Sequence, residues 1–256
     1  MHTAITRRIS PAMASCELSH IARSDIDLAR AEAQHGRYLD GLRALGCTVV
    51  ELAAEPTLPD SVFVEDVAIV LDEIAVMTRP GAVSRRGESD SVATVLAGFR
   101  RLLSITAPAT LDGGDVLRIG RDLHIGLSAR SSAQATVQMS ELLLPFGYRV
   151  HGVPIRGCLH LKSAVTEVAE GVLLIQPEWV DASAFAGYRI IEVDADEAHA
   201  ANALRIGAGV IYPDCFPRTL ARLRAAGIEP LLVDVSELQK AEGAVTCCSL
   251  IIRDLR

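Results

Sequence analysis

The chain has 256 residues, enough for one large domain or two small ones, and half of them are hydrophobic. Charged residues make up 22%, an ordinary share that argues against disorder. The formal net charge of -7 argues against non-specific nucleic-acid binding and against an anionic membrane surface, and fits, weakly, a protein that handles a cationic small molecule.

In chain order, the opening "MHTAITRRISPAMASCELSH" has no sustained apolar region and reads as no secretory signal. Within it, "AITRRI" has the pattern of a strand. "AEAQHGRYLDGLRALG" then reads as a helix and "CTVVEL" as a strand. Next, "VFVEDVAIVL" and "EIAVMTRP" form a hairpin around Asp72. "SDSVATVLAGF" follows as a helix with Ser or Asp near its start, then "LLSITAPA" as a strand. The order repeats over 112–155: "DGGDVLRIG" and "RDLHIGLS" as strands, "SSAQATVQMSELLLPFG" as a helix closed by Gly147, and "YRVHGVPI" as a third strand. It repeats again as "LHLKSAVTEVA", "GVLLIQPEWV", a short helix through Asp181–Phe185 and "YRIIEVD". The next copy is "ANALRIGAGVIYP", "PRTLARLRAAG" and "IEPLLVDVS". The tail "GAVTCCSLIIR" opens a last hairpin, whose helix and final strand come from the N-terminal part; "AITRRI" can pair with it and close a ring.

Five ββαβ units of roughly 45 residues are therefore expected, the scale at which repeat architectures are sought. No unit buries its own sheet and helix alone, but five around an axis do. No linker rich in Pro, Gly or Ser divides the chain, so residues 1–256 are read as one domain. An open α/β sheet with crossover helices is the non-circular alternative. The ring is preferred because the order recurs in phase and the two chain ends complement each other. In a ring the hairpin starts lie near the axis, and those starts hold Asp66, Asp112 with Asp115, His160 and Cys247.

The six cysteines follow no framework spacing and form no Cys-x-x-Cys pair, which suggests reduced thiols in a cytoplasm. No apolar run approaches the length of a bilayer span. "GAVTCCSL" reads as a short buried strand reached through a turn. Adjacent strand side chains point to opposite faces, so Cys247 and Cys248 cannot share a pocket. One is then free to be a nucleophile and the other a core residue; both being plain core thiols is the simpler alternative.

Four groups bear on chemistry. Asp60, Glu65 and Asp66 place carboxylates in apolar surroundings, which is costly unless they are paired, and a guanidinium is a natural planar partner for them. In "LDGGDVL", Gly113 and Gly114 suggest a tight turn or a close backbone approach; the pair is too short for a phosphate loop. His160 lies between two leucines. It is either a hydrogen-bonded core histidine or, with Cys247 at the equivalent place in another unit, an acid and base. Cys158, His160 and Cys247 match no structural zinc spacing, and no metal is assigned. Arg85 with Arg86, and Arg130, follow second strands at matching positions. They are either solvated loop charges or a clamp for a carboxylate.

Together "DSVFVEDVAIV", "SRRGE", "LDGGDVL", "GLSAR", "LHLKSA" and "EGAVTCCSL", in this order, resemble the dimethylarginine dimethylaminohydrolases of the guanidino-group-modifying (pentein) superfamily. The resemblance spans essentially the whole chain. It implies a five-bladed α/β propeller and a cytoplasmic enzyme that hydrolyses Nω-methylated arginines to citrulline and a methylamine without a cofactor. It implies Cys247 as nucleophile, His160 as acid and base, and Asp112 as its carboxylate partner, where relatives also carry Glu. Asp60, Glu65 and Asp66 correspond to contacts on the guanidinium side, and Arg85 and Arg130 to contacts with the amino acid's carboxylate. Leu18 corresponds to a lid residue. Ala241 corresponds to a backbone contact usually supplied by a larger aliphatic residue. The implied partner is a small-molecule substrate, with no nucleic acid and no membrane; a homodimer is compatible with the resemblance and not required by it. Rival readings are an arginine deiminase or an amidinotransferase of the same superfamily, a non-catalytic ring of the same fold, and a redox role for the vicinal pair Cys247–Cys248.

Overall fold

The computed structural model describes residues 1–254. Five three-stranded sheets surround an axis, each with two antiparallel strands followed by a parallel third. In chain order the elements begin with β1 (His2–Arg7), α1 (Leu28–Ala44) and β2 (Cys47–Leu52). The next blade is β3 (Ala68–Val70), β4 (Ile74–Met77), α2 (Ser89–Leu96) and β5 (Arg101–Ser104). Then come β6 (Val116–Ile119), β7 (Asp122–Leu127), α3 (Ala133–Leu143) and β8 (Arg149–Pro154). The fourth stretch is α4 (Leu161–Ala164), β9 (Val165–Ala169), β10 (Val172–Ile175), a 3-10 turn (Ala182–Phe185) and β11 (Arg189–Glu192). The chain ends with β12 (Leu204–Ile206), β13 (Gly209–Pro213), α5 (Pro217–Ala225), β14 (Leu231–Val233), α6 (Ser236–Gln239) and β15 (Leu250–Arg253).

The sheets have orders β15-β1-β2, β3-β4-β5, β6-β7-β8, β9-β10-β11 and β12-β13-β14. The split blade is closed by β1 running antiparallel to β15, with Ala4 opposite Ile251, and parallel to β2. This is the closure expected from the complementary chain ends. The first strands of neighbouring blades meet around the axis: β15 with β3, β6 with β9, and β9 with β12. The chain is thus a five-bladed α/β propeller.

Each helix covers one side of its sheet with one face. On α1 the buried positions Ala31, Gln34, Tyr38 and Leu42 recur at helical spacing, and Ala31, Tyr38 and Leu42 pack into a cluster with Ile211 and Val233 of the neighbouring blade. A large apolar side chain buried this completely stabilises the fold by roughly 1.5–3 kcal/mol, so packing between blades dominates local propensity. Asp27 caps α1 by accepting from the Arg30 N–H, and Gly147 ends the α3 segment at φ 73°, where a side chain would be strained. Among the described residues, no helix is long and apolar enough to cross a membrane.

One expectation about local structure is corrected. The functional segments read as strand openings but are single turns that precede the strands. Val64–Val67 and Gly113–Asp115 are 3-10 turns, Leu161–Ala164 is one turn of α-helix, and Ala244–Cys247 is a turn before β15 starts at Leu250. Their β-branched and apolar residues are buried as in a strand, which is why they mimic one. The turns bring successive side chains inward, where a strand would send alternate ones away.

Candidate active site

Four of these turns converge on the axis. Glu65 N–H donates to the Cys247 carbonyl at 3.1 Å, tying the acidic turn to the cysteine turn. Cys247 N–H closes its own turn on the Ala244 carbonyl at 3.2 Å. This turn separates the vicinal thiols. Cys247 lines a narrow cavity of about 20 Å³ together with Asp60, Asp66, Arg85, Arg130, His160 and Ala241, whereas Cys248 is fully buried in the core. The two thiols do part company, by way of a turn instead of strand alternation.

His160 sits just before α4 in extended conformation. Its Nε2 lies 3.2 Å from Asp112 Oδ2, and its Nδ1 lies 3.9 Å from Asp66 Oδ1. Asp112 is fixed in turn: its N–H donates to Ser131 Oγ at 3.0 Å, and its Oδ1 accepts from Gly81 N–H at 2.8 Å. Asp115 holds the next residue along, accepting Leu161 N–H at 2.9 Å and the Ser128 hydroxyl at 2.6 Å. Ser128 Oγ also accepts the N–H groups of Arg130 and Ser131. One buried carboxylate therefore positions both the imidazole segment and the Arg130 loop.

The glycine pair allows this crowding. A Cβ on Gly113 would collide with the Glu65 carbonyl, and one on Gly114 with the His160 ring and, at 2.9 Å, with Asp66 Oδ1. Gly114 N–H uses the proximity to donate to Asp66 Oδ1 at 2.9 Å.

Asp66 also accepts Arg85 Nη1–H at 2.6 Å. Arg85 is itself buried and spends most of its donors inside the protein: on Glu88 at 2.8 Å through Nη2, on Glu88 again through Nε, and on the carbonyls of Asp60 and Phe63. Its guanidinium stands in the cavity wall, with one Nη1 hydrogen beyond these bonds. Arg130 is less committed. Its Nη2 donates to Ser19 Oγ at 3.1 Å and its Nη1 stays 3.8 Å from Asp112. Asp60 accepts Glu17 N–H at 3.1 Å.

Two expected contact residues lie off the cavity. Glu65 turns away to a second, axial cavity, where Lys162 Nζ donates to it at 2.6 Å and Thr246 Oγ1 at 2.8 Å. Leu18 packs half-buried against the α1 core cluster, and its neighbour Glu17 lines the cavity instead. Asp66, Asp112 and His160 each offer a donor atom within 4.8 Å of one another, the one such group able to hold a metal ion among the described residues. Asp66 is already neutralised by Arg85, so the set serves an imidazolium at least as well.

A scan against protein-family models finds no match. Among characterised proteins, the chain is 37% identical to the N(G),N(G)-dimethylarginine dimethylaminohydrolase of Streptomyces coelicolor, over 98% of this chain and 97% of that protein. It is 35% identical to the protein of that name from Pseudomonas aeruginosa, over 91% of each. The chain belongs to the dimethylarginine dimethylaminohydrolase family. Among solved structures, a mutant of the Pseudomonas aeruginosa family member complexed with citrulline superposes with a TM-score of 0.94, at 32% identity and 98% coverage of both chains. The fold is shared more widely: the N-terminal domain of a cyanobacterial arginine dihydrolase superposes at a TM-score of 0.83 with 19% identity.

The electrostatics of this family member are set by burial first. Burial pushes the Cys247 thiol up to about 12, and Glu65 and Asp66 push it the same way. For His160 burial favours the neutral ring, but Asp66, Asp112 and Asp115 outweigh it and raise the imidazolium to about 9. Burial would raise Asp66; His160 and Arg85 overcome that and hold it at about 2. Glu65 is raised by burial, against the pull of Lys162. At neutral pH the site thus holds a neutral thiol and a cationic imidazole.

Sequence reasoning missed Lys162, Glu88 and Glu242. Lys162 carried a usable signal: it is one of only two lysines in a chain otherwise furnished with arginine, and it stands two residues from His160. Glu88 lies at i+3 from Arg85, a helical ion-pair spacing. Glu242 stands in "EGAVTCCSL", but nothing in that spacing reveals a partner more than 200 residues away.

Proposed function

We propose that the protein is a dimethylargininase: it hydrolyses Nω-methylated arginine to citrulline and dimethylamine or methylamine. The observation that carries the reading is the one cavity lined by Cys247, His160 and a buried, ionised Asp66. The substrate's guanidinium supplies a positive charge beside Cys247. Placed against Asp66 and Cys247, it stabilises a thiolate that burial otherwise disfavours, and the thiol proton leaves on binding because His160 is already protonated.

The thiolate forms a C–S bond to the central guanidinium carbon. His160 gives its proton to the departing nitrogen as the C–N bond breaks, leaving an S-alkyl thiouronium on Cys247. The neutral imidazole then deprotonates a water, whose oxygen attacks the same carbon. Collapse breaks the C–S bond and releases citrulline; the proton left on the former water oxygen passes to the departing sulfur, which returns as the thiol beside cationic His160. Asp112 keeps the ring oriented and stabilises its cationic form. Arg130, with the spare hydrogen of Arg85, is the partner we assign to the substrate's carboxylate, and Asp60 joins Asp66 on the guanidinium side. Ala241 supplies a smaller wall than the usual larger aliphatic. The blades act as one domain over 1–256, and six free thiols fit a cytoplasmic setting.

The test is citrulline formation from arginine, mono- and dimethylated arginine and agmatine, by the native protein and by Cys247→Ser. Turnover of a methylated arginine that vanishes in the variant is the expected result. Near-normal turnover by Cys247→Ser would remove the mechanism, and preference for unmethylated arginine would favour a deiminase.

A further inference from the structure

The catalytic cavity, about 20 Å³, holds about one water and no amino acid. Beside it lies a cavity of about 330 Å³, within the range that takes a small organic ligand. The two share the walls Leu159, Glu242 and Gly243. The larger one is mostly apolar and includes Phe216, with His20 and His199 also in its wall; among the described residues it is lined by no Lys or Arg, and Glu242 is its only carboxylate.

Glu242 makes a second, independent set of contacts. Its carboxylate accepts three successive N–H groups of the 17–23 segment: Ser19 at 2.9 Å, His20 at 2.5 Å and Ile21 at 2.9 Å. It does so from φ 57°, the one non-glycine residue with positive φ among those described. The base of the same segment is stapled by Arg23, whose guanidinium donates to the carbonyls of Ala14 and Cys16. The segment is also tied by Glu17 N–H to Asp60, by the Ser84 hydroxyl to the Glu17 carboxylate and by Arg130 to Ser19. The first and last of these use groups that an arriving amino acid takes over. The Glu242 contacts are not of that kind, and charge-assisted bonds are the strong ones.

We infer that the 330 Å³ cavity is the vestibule through which a cationic guanidine reaches the catalytic cavity, and that Glu242 is the latch that keeps the 17–23 lid shut between them. Glu242 is a positioning residue: it touches the lid, not the reacting atoms. Its carboxylate, the only one among the described lining residues, faces the path of a cation. The latch stands without the proposed reaction; the vestibule's ligand class rests on it.

The latch is tested without substrate, by hydrogen exchange on the full chain. Glu242→Gln keeps the shape and loses the charge. Amide exchange at 19–21 should then quicken about tenfold, the scale of weakening three charge-assisted bonds to neutral ones. Alkylation of Cys247 should quicken in parallel, while the core thiol Cys47 stays protected. Glu242→Gly relieves the left-handed backbone and removes the carboxylate, so it should loosen the lid in a chain that folds at least as well. Unchanged exchange at 19–21 in both variants overturns the latch. The vestibule is tested by filling it with Cys215→Trp. The expected result is a fall in kcat/KM for methylarginine of about tenfold or more, with a smaller fall in kcat, since a blocked path slows capture before chemistry. An unchanged kcat/KM overturns the vestibule while the exchange result still stands. A native protein that turns over no guanidine overturns the reaction without touching the latch.

Discussion

His160 Nε2 lies 3.2 Å from Asp112 Oδ2, and the two side chains are almost wholly shut off from solvent. This pairing sets the site's pH behaviour. With His160 raised to about 9, its cationic form is the acid available to the leaving amine, so kcat/KM should fall as pH rises past about 9. Asp112→Asn removes one of the charges that hold the proton. The alkaline limb should then move down by about one pH unit or more, as expected for loss of an adjacent opposite charge. A pH–rate profile of the variant that superposes on the native one would separate Asp112 from His160.

The same groups tie stability to pH. His160 binds its proton more tightly when folded, so its contribution is complete below its ordinary 6.5 and is lost as pH rises through about 9. Asp66 runs the other way. Held at about 2, it contributes above its ordinary 3.8 and loses that contribution as pH falls toward 2. Thermal melts of the native protein should therefore be highest between these ranges. His160→Gln should flatten the alkaline decline between pH 6.5 and 9.

The Cys247 thiol offers a direct measurement. In the free protein its thiolate absorbance should rise only toward pH 12. A bound guanidinium inhibitor should bring that rise down in pH, and its binding near neutrality should release a proton. Calorimetry in buffers of different ionisation enthalpy reads that proton. Binding enthalpies independent of buffer would mean the thiol was ionised before the cation arrived.

Much of this architecture is legible in the chain because the ββαβ period survives in its hydrophobic pattern, and because "AITRRI" and "SLIIR", at opposite ends of the chain, supply the antiparallel pair of the split blade. What misleads is local. "VFVED" and "GAVTC" carry apolar and β-branched residues because they are buried, and burial alone does not distinguish a strand from one turn. The site residues announced themselves as polar groups in apolar runs. The second partners did not. Nothing at position 65 says that Lys162, not a ligand, neutralises it. That pairing depends on the approach of one blade to another, which no single stretch encodes, whereas the Arg85–Glu88 pair is local, three residues apart.

Gly114 shows how tight that approach is. Gly114→Ala drives a methyl into the His160 ring and the Asp66 carboxylate. Overpacking of this kind costs about 1–3 kcal/mol of stability. Displacing the acid by even an ångström can cost about a hundredfold in rate. Activity should thus fall far more steeply than the melting temperature. Gly36, where an added Cβ meets nothing within 4 Å, is the control: Gly36→Ala should leave turnover unchanged.

Lys162 and Glu65 form the floor between the catalytic turn and the axial cavity, joined at 2.6 Å with both side chains largely buried. Lys162→Met keeps the apolar stem and removes the charge, leaving Glu65 unpaired beside Thr246 and Cys247. Breaking one side of a buried pair costs about 3–5 kcal/mol, whereas replacing both partners is often near neutral. Lys162→Met alone should therefore lower the urea midpoint sharply at neutral pH. Its loss should shrink at acid pH, where Glu65, already raised by burial, takes up a proton. The double variant Lys162→Met with Glu65→Gln should regain most of the lost stability. Equal stability losses for the single and double variants would show that Lys162 acts through packing of its stem and not as the counter-ion of Glu65.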